Sequence, residues 1–132
     1  MALRVRSTLP EALEQVVART IDCAFRVHRE LGPGFLERIY QKALCLELRA
    51  AGLAVEVEKA IDVRYREWLI PGQRLDMVVD GVVIVEVKAI RRIGRIHEAV
   101  MLSYLRSTGI RVGLILNFRG TLLRDGIRRV VV

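Results

Sequence analysis

Val82-Val83-Ile84-Val85-Glu86-Val87-Lys88 decides the fold. Five of its first six residues are β-branched or otherwise apolar without a polar alternation, which predicts a central strand buried on both faces. Its last residues break that rule. Glu86 and Lys88 are two apart, so they project from one face. Charged groups in a buried strand are costly unless they are paired or bound to metal. Either the strand end emerges into solvent and carries an ordinary surface pair, or it carries a site.

The preceding segment tests the choice. Leu75, Met77 and Val79 predict a neighbouring strand, joined to the first through the hairpin signal Asp80-Gly81. A tight two-residue turn would pair Val79 with Val82 and put Asp76 opposite Val85, on the face away from Glu86. A three-residue loop, Val79-Asp80-Gly81, would put Asp76 opposite Ile84 and on the face of Glu86 and Lys88. A metal site therefore predicts an odd-length connection. With the three residues on one face, two carboxylates and the Val87 carbonyl would offer hard oxygen ligands for Mg²⁺ or Mn²⁺. Lys88 would orient or deprotonate a water, or neutralise charge developing on a phosphate. The set contains no Cys or His, which argues against zinc.

Downstream, a helix from about Arg95 to Ser107, stopped by Gly109, leads to a second buried strand, Val112 to Phe118. The unit Val82–Phe118 is long enough for a right-handed parallel crossover. The tail, Thr121 to Val132, predicts an edge strand or hairpin. Upstream, Leu13, Val16, Val17, Ile21, Ala24, Val27 and Leu31 recur at helical spacing. They predict a helix from Pro10 to Leu31, capped by Ser7 or Thr8 and stopped by Gly32-Pro33-Gly34. A second helix, Leu36 to Ala51, ends at Gly52, with Leu36, Ile39, Tyr40, Ala43 and Leu44 as its buried face. Glu37 lies at the edge of that stripe. Two short alternating strands follow, Val55–Val57 and Ile61–Tyr65. The expected order is α-α-β-β-β-β-α-β-β, a single α/β (α+β) domain over residues 1–132, its mixed sheet flanked by helices.

Bulk composition narrows the function. The net charge is +7, and slightly over half of the 132 residues are hydrophobic. A basic surface favours phosphate-bearing partners. No segment reaches the ~18 uninterrupted apolar residues needed to span a bilayer. Met1 to Pro10 is polar and basic with no apolar h-region. Cys23 and Cys45 are far apart at helical, mostly apolar positions, as reduced core residues would be. The expectation is a soluble cytoplasmic protein that is not inserted in a membrane.

The ordered residues resemble a known family. Gly34-Phe35-Leu36-Glu37-Arg38-Ile39-Tyr40 fits a GxxExxY signature, framed by Val27 to Gly34 and Leu44 to Leu48. Arg74-Leu75-Asp76, Val85-Glu86-Val87-Lys88, Ser103-Tyr104-Leu105 and Gly113 to Phe118 follow in order. Over Ile21 to Phe118 the chain resembles the GxxExxY family of PD-(D/E)XK nuclease-like proteins. The resemblance implies a restriction-endonuclease-like core with Asp76, Glu86 and Lys88 as the nuclease motif. It implies Glu37 as an extra acidic residue reaching the site from a helix, with Tyr40, Tyr104 and His28 in support. Leu75 stands where the superfamily name has Pro. Val100 stands where relatives often carry Gln, which removes a polar group able to bind a phosphate or the Lys. His97 and Glu98 are candidate substitutes.

The expected function is divalent-metal-dependent phosphodiester hydrolysis, on DNA ahead of RNA. Arg91, Arg92 and Arg95 would hold the nucleic-acid backbone near the metal. The alternative is a noncatalytic nuclease-like subunit that binds nucleic acid or protein. The apolar end Val130-Val131-Val132 suits an edge-to-edge homodimer.

Overall fold

The computed structural model describes residues 7–132, so most of the polar N-terminal segment lies outside the described residues. Helix α1 spans Glu11–Leu31, with Pro10 at its N-cap and Glu11 and Glu14 in the first turn, where carboxylates complement the positive helix end. The expected Ser7 or Thr8 side-chain cap is absent. Instead the Pro10 carbonyl accepts from the Leu13 and Glu14 N–H groups, and the Ser7 hydroxyl donates to Glu14. Helix α2 spans Glu37–Ala50. Its buried face is Tyr40, Leu44, Cys45 and Leu48. Leu36 precedes the helix and is 60% exposed, and Ile39 is 40% exposed, so neither forms the buried face read from the sequence.

Strand β1 spans Val55–Tyr65 and β2 spans Trp68–Val79. The two short strands expected before β2 are thus one long strand, and the order is α-α-β-β-β-α-β-β. β1 nevertheless bends where the separation was read. Glu58 adopts a left-handed φ of 50°, and Glu58 and Asp76 drop out of the ladder although the register is the same on either side, Val57↔Met77 and Lys59↔Leu75; the register itself shifts further out, between Ile61 and Val63. Leu75 and Met77 consequently pack into different apolar clusters although they are two residues apart.

Strand β3 spans Val83–Lys88, helix α3 Arg95–Thr108 and strand β4 Val112–Asn117. β3 and β4 pair in parallel, Val83 beside Val112 through Lys88 beside Asn117. A 3₁₀ turn, Leu123–Gly126, leads to β5, Ile127–Val131, which pairs antiparallel with β4. The mixed sheet runs β1-β2-β3-β4-β5. Helices α1 and α2 cover one face through Val17, Ala24, Val27, Tyr40, Leu44 and Leu48, packed with Met77, Val79, Val83, Val85, Leu114 and Leu116. Helix α3 covers the other through Met101 and Leu105, packed with Leu75, Val78, Ile84 and Ile115. Both faces of β3 are therefore dry, as its sequence requires. Arg129 of β5 bonds both carboxylate oxygens of Glu14, which ties the edge strand to α1 and holds the Glu14 carboxyl at about 2. Cys23 and Cys45 are buried and unbridged. No helix among the described residues is long and apolar enough to cross a membrane.

Candidate active site

The β2–β3 register is Met77↔Val85, Val78↔Ile84 and Val79↔Val83. The loop is Asp80-Gly81-Val82, three residues long. The odd length read from the sequence is kept, but the loop is displaced by one residue. Continuing the register puts Asp76 opposite Glu86 rather than Ile84. The face is the same. Asp80 fixes the turn: it takes a φ of 50°, its Oδ1 accepts from the Ala54 N–H at 2.7 Å, and its own N–H donates to the Ala54 carbonyl.

Beyond Met77↔Val85 the ladder gives way to side chains. The Asp76 N–H donates to Glu86 Oε1 at 3.1 Å, and the Val87 N–H donates to Asp76 Oδ2 at 2.9 Å. Each carboxylate takes the place of a strand carbonyl, so β2 and β3 are held apart by the acids they carry. Glu86 is only 7% exposed. Burial, and then the Asp76 charge, push its carboxyl up to about 8. Burial likewise raises Asp76, against the Val87 N–H and the Lys88 charge, which lower it. Lys88 is half-buried at the strand end, and its charge reaches both acids. Burial, and after it the Glu86 and Asp76 charges, raise the hydroxyl of Tyr104 on α3.

Glu37, exposed in the first turn of α2, accepts from the Ala89 N–H at 3.2 Å, one residue beyond Lys88. The structure thus brings Glu37 to the end of β3. Tyr40 lies beneath. Its ring stacks on Phe118 with centroids 4.7 Å apart, and its hydroxyl donates to the Gly32 carbonyl and accepts from the Phe35 N–H. This fixes the loop that enters α2. His28 Nε2 lies 2.8 Å from the Gly120 carbonyl, so that nitrogen carries the proton.

The other basic candidates are placed differently. Arg91 and Arg92 are exposed and line a cavity of about 280 Å³ with Asn117, Asp125 and Arg128. Arg95 is exposed at the start of α3. His97 and Glu98 have other partners: His97 Nδ1 accepts from the Gly94 N–H at the helix start, and Glu98 pairs with Arg128 at 3.5 Å. Val100 is 39% exposed.

Three residues were missed. Glu58 reads as the wet side of an alternating strand, yet the bend at its own position turns it so that its charge reaches Asp76. Gln41 donates to Glu58 Oε1 at 2.7 Å and to the Asp76 carbonyl at 3.4 Å. Its spacing of four from Glu37 is a signal that could have found it. Asn117, buried at the end of β4, clamps the segment after Lys88: its Oδ1 accepts from the Ile90 N–H and its Nδ2 donates to the Ile90 carbonyl.

Among the described residues no three His, Cys, Asp or Glu side chains converge as a ready-made metal cluster. The donor set nevertheless suits a hard cation. Two adjacent carboxylates, buried and mutually repelling, bind a proton more strongly than free carboxylates do, and a divalent cation answers the same excess of negative charge.

A family model described as the PD-(D/E)XK nuclease superfamily matches residues 14–130. The chain belongs to that superfamily. No curated protein and no solved structure gives a significant match. The α+β architecture, with a mixed five-stranded sheet between helices, is consistent with the PD-(D/E)XK fold. Members of the superfamily usually use divalent metals, and membership implies a nucleic-acid substrate.

Proposed function

We propose that this chain is a divalent-metal-dependent nuclease of the GxxExxY type, hydrolysing phosphodiester bonds in DNA ahead of RNA. The observation that carries the reading is the reciprocal pair: Glu86 holds the Asp76 N–H and Asp76 holds the Val87 N–H where β2 and β3 stop pairing, with Lys88 beside them. Asp76, Glu86 and the Val87 carbonyl are the proposed ligands of Mg²⁺ or Mn²⁺. Such a cation, when bound, polarises a phosphate and lowers the pKa of water.

The remaining steps belong to side chains. Hydrolysis forms one bond from water oxygen to phosphorus and breaks one ester P–O bond, and the water's proton ends on the departing oxygen or in solvent. Lys88, as an ammonium, holds a phosphate oxygen and offsets the charge that grows on it. Glu37, at the Ala89 N–H, orients the strand end and water near it. Tyr104 closes the α3 side of the acids, and Tyr40 and His28 hold the loops beneath. Arg91, Arg92 and Arg95 supply sequence-independent contacts to the nucleic-acid backbone. We place the protein in the cytoplasm as a single domain, with β5 available for edge-to-edge pairing between copies.

The exposed Val100 favours a second reading, a nuclease-like subunit that binds without cutting. One assay separates the two. Purified protein is incubated with single- and double-stranded DNA and RNA and with Mg²⁺ or Mn²⁺, beside Asp76→Asn, which keeps an acceptor for the Val87 N–H, and Lys88→Ala. Cleavage lost in both variants is the expected result. Cleavage that persists in both removes the proposed site, and binding without cleavage selects the second reading.

A further inference from the structure

β3 accompanies β2 only through Met77, Val78 and Val79. β1 follows β2 much further, out to Tyr65↔Trp68. The far half of this pair is a two-stranded arm with no third strand, an arrangement that is marginal in water unless something packs on it. Its end carries Tyr65, Trp68, Leu69 and Ile70, each about half exposed or more. A cluster of large apolar side chains on such a projection marks an interaction surface. The Arg66 guanidinium lies 5.4 Å from the centroid of the Tyr65 ring. Between the arm and α3 is a cavity of about 500 Å³, lined by Asp62, Val63, Arg64, Leu69, Ser103 and Arg106.

The charges select the occupant. Among the described residues Arg64, Arg66, Arg74 and Arg106 form no ion pair. These four arginines outnumber the neighbouring acids, Asp62 and Glu67, on a chain of net charge +7, so a second copy would meet an excess of like charge. A polyanion neutralises them. Aromatic rings interleaved with unpaired arginines are the combination that binds unpaired bases: the rings take base faces and the guanidinium groups take phosphates. Trp68 is eight residues from Asp76, about 26 Å along the strand, a span of several nucleotides.

We propose that the arm is a stacking platform for single-stranded nucleic acid, with bases on Trp68 and Tyr65 and phosphates on Arg64, Arg66 and Arg106. The proposal rests on the nuclease reading, since it names the form of substrate delivered to Asp76 and Glu86.

Trp68 is the only tryptophan of the chain, so its emission reports the arm alone. The full chain, in EDTA to stop metal-dependent cleavage, is titrated with an oligothymidylate of about twelve nucleotides, within the range of single-strand site sizes. Fluorescence anisotropy of the labelled oligonucleotide measures binding in parallel. Saturable quenching of Trp68 that tracks the anisotropy is expected. Trp68→Ala is expected to weaken binding about tenfold or more, and Trp68→Phe to restore most of it. Oligonucleotide binding that leaves Trp68 emission unchanged overturns the proposal. So does equal quenching by a blunt duplex, or a concentration-dependent emission shift without nucleic acid accompanied by a dimer in sedimentation. Quenching by the single strand with no cleavage after Mg²⁺ or Mn²⁺ is added supports the platform while removing the nuclease reading. Cleavage with unchanged Trp68 emission does the reverse.

Discussion

Asp76 and Glu86 exchange backbone hydrogen bonds: Glu86 Oε1 accepts from the Asp76 N–H, and Asp76 Oδ2 accepts from the N–H that follows Glu86. Each acid is therefore a structural part of the strand opposite. Their electrostatics and their backbone roles cannot be altered separately without care, and the useful variants keep the acceptor while removing the charge.

The first prediction concerns pH. Glu86 rises from an ordinary 4.5 to about 8 in the folded chain. A carboxyl raised on folding contributes stability that is fully present below about 4.5 and is lost as pH rises through about 8. Asp76 is also raised and acts in the same direction. In EDTA, the melting temperature of the wild type should fall across that window. Glu86→Gln should flatten the fall. Millimolar Mg²⁺ or Mn²⁺ should restore much of the loss at pH 8, because a ligand of the folded state alone raises its stability. Calorimetry at a series of pH values, with and without metal, measures all three.

Glu37 touches the chain through the Ala89 N–H. Glu37→Gln keeps an acceptor there and removes the charge. If Glu37 orients the strand end that presents the acids, the metal concentration for half-maximal cleavage should rise about ten- to hundredfold. The melting temperature without metal should hardly move. A metal titration of cleavage beside a thermal melt reads both. An unchanged titration would remove Glu37 from the site.

Asn117 satisfies both backbone groups of Ile90 and the N–H of Arg119. Asn117→Ala leaves three backbone groups to find new partners in a largely buried place. A loss of about 2–4 kcal/mol is expected, measured by urea unfolding. Cleavage should fall as well, because the segment held by Asn117 follows Lys88 directly.

Gly113 lies where α3 crosses β4. A Cβ at that position would fall 2.2 Å from the sulfur of Met101. Gly113→Ala should cost about 1–3 kcal/mol by overpacking. Met101→Ala in the same chain should recover part of that cost, and the coupling from a double-mutant cycle should exceed about 0.5 kcal/mol. Additive losses would show that the helix moves instead.

Much of the fold was legible because burial leaves a plain signature. The sequence Val82–Lys88 announces a strand with two dry faces, and both helical layers that dry it are present. The parity of Asp76 was legible too, since an odd loop was the condition for a shared face. The loop's own position was not: Asp80 takes its turn from bonds to Ala54, a residue distant in sequence. The join of two strands into β1 was hidden for a similar reason. Glu58 enters a left-handed conformation that propensity assigns to glycine or asparagine, so the alternation breaks there without a turn residue to mark it. Glu58, Gln41 and Asn117 escaped because each gains its role from a partner on another element. Leu36 and Ile39 misled in the opposite way: Leu36 stands before the helix in extended backbone and Ile39 lies in its first turn, and both are exposed.

The parting of β2 from β3 has a consequence for how such a protein can change. Remove both acids in favour of residues at home in a sheet, as in Asp76→Thr/Glu86→Thr, and the ladder is free to close. That variant should melt above the wild type in EDTA, while doing no chemistry. The seam is thus a deliberate flaw, kept open against the tendency of two strands to zip. It also lies at the root of the projecting ribbon, because Asp76 belongs to β2 itself, so a change that slides the ribbon's register would be felt first at the acids.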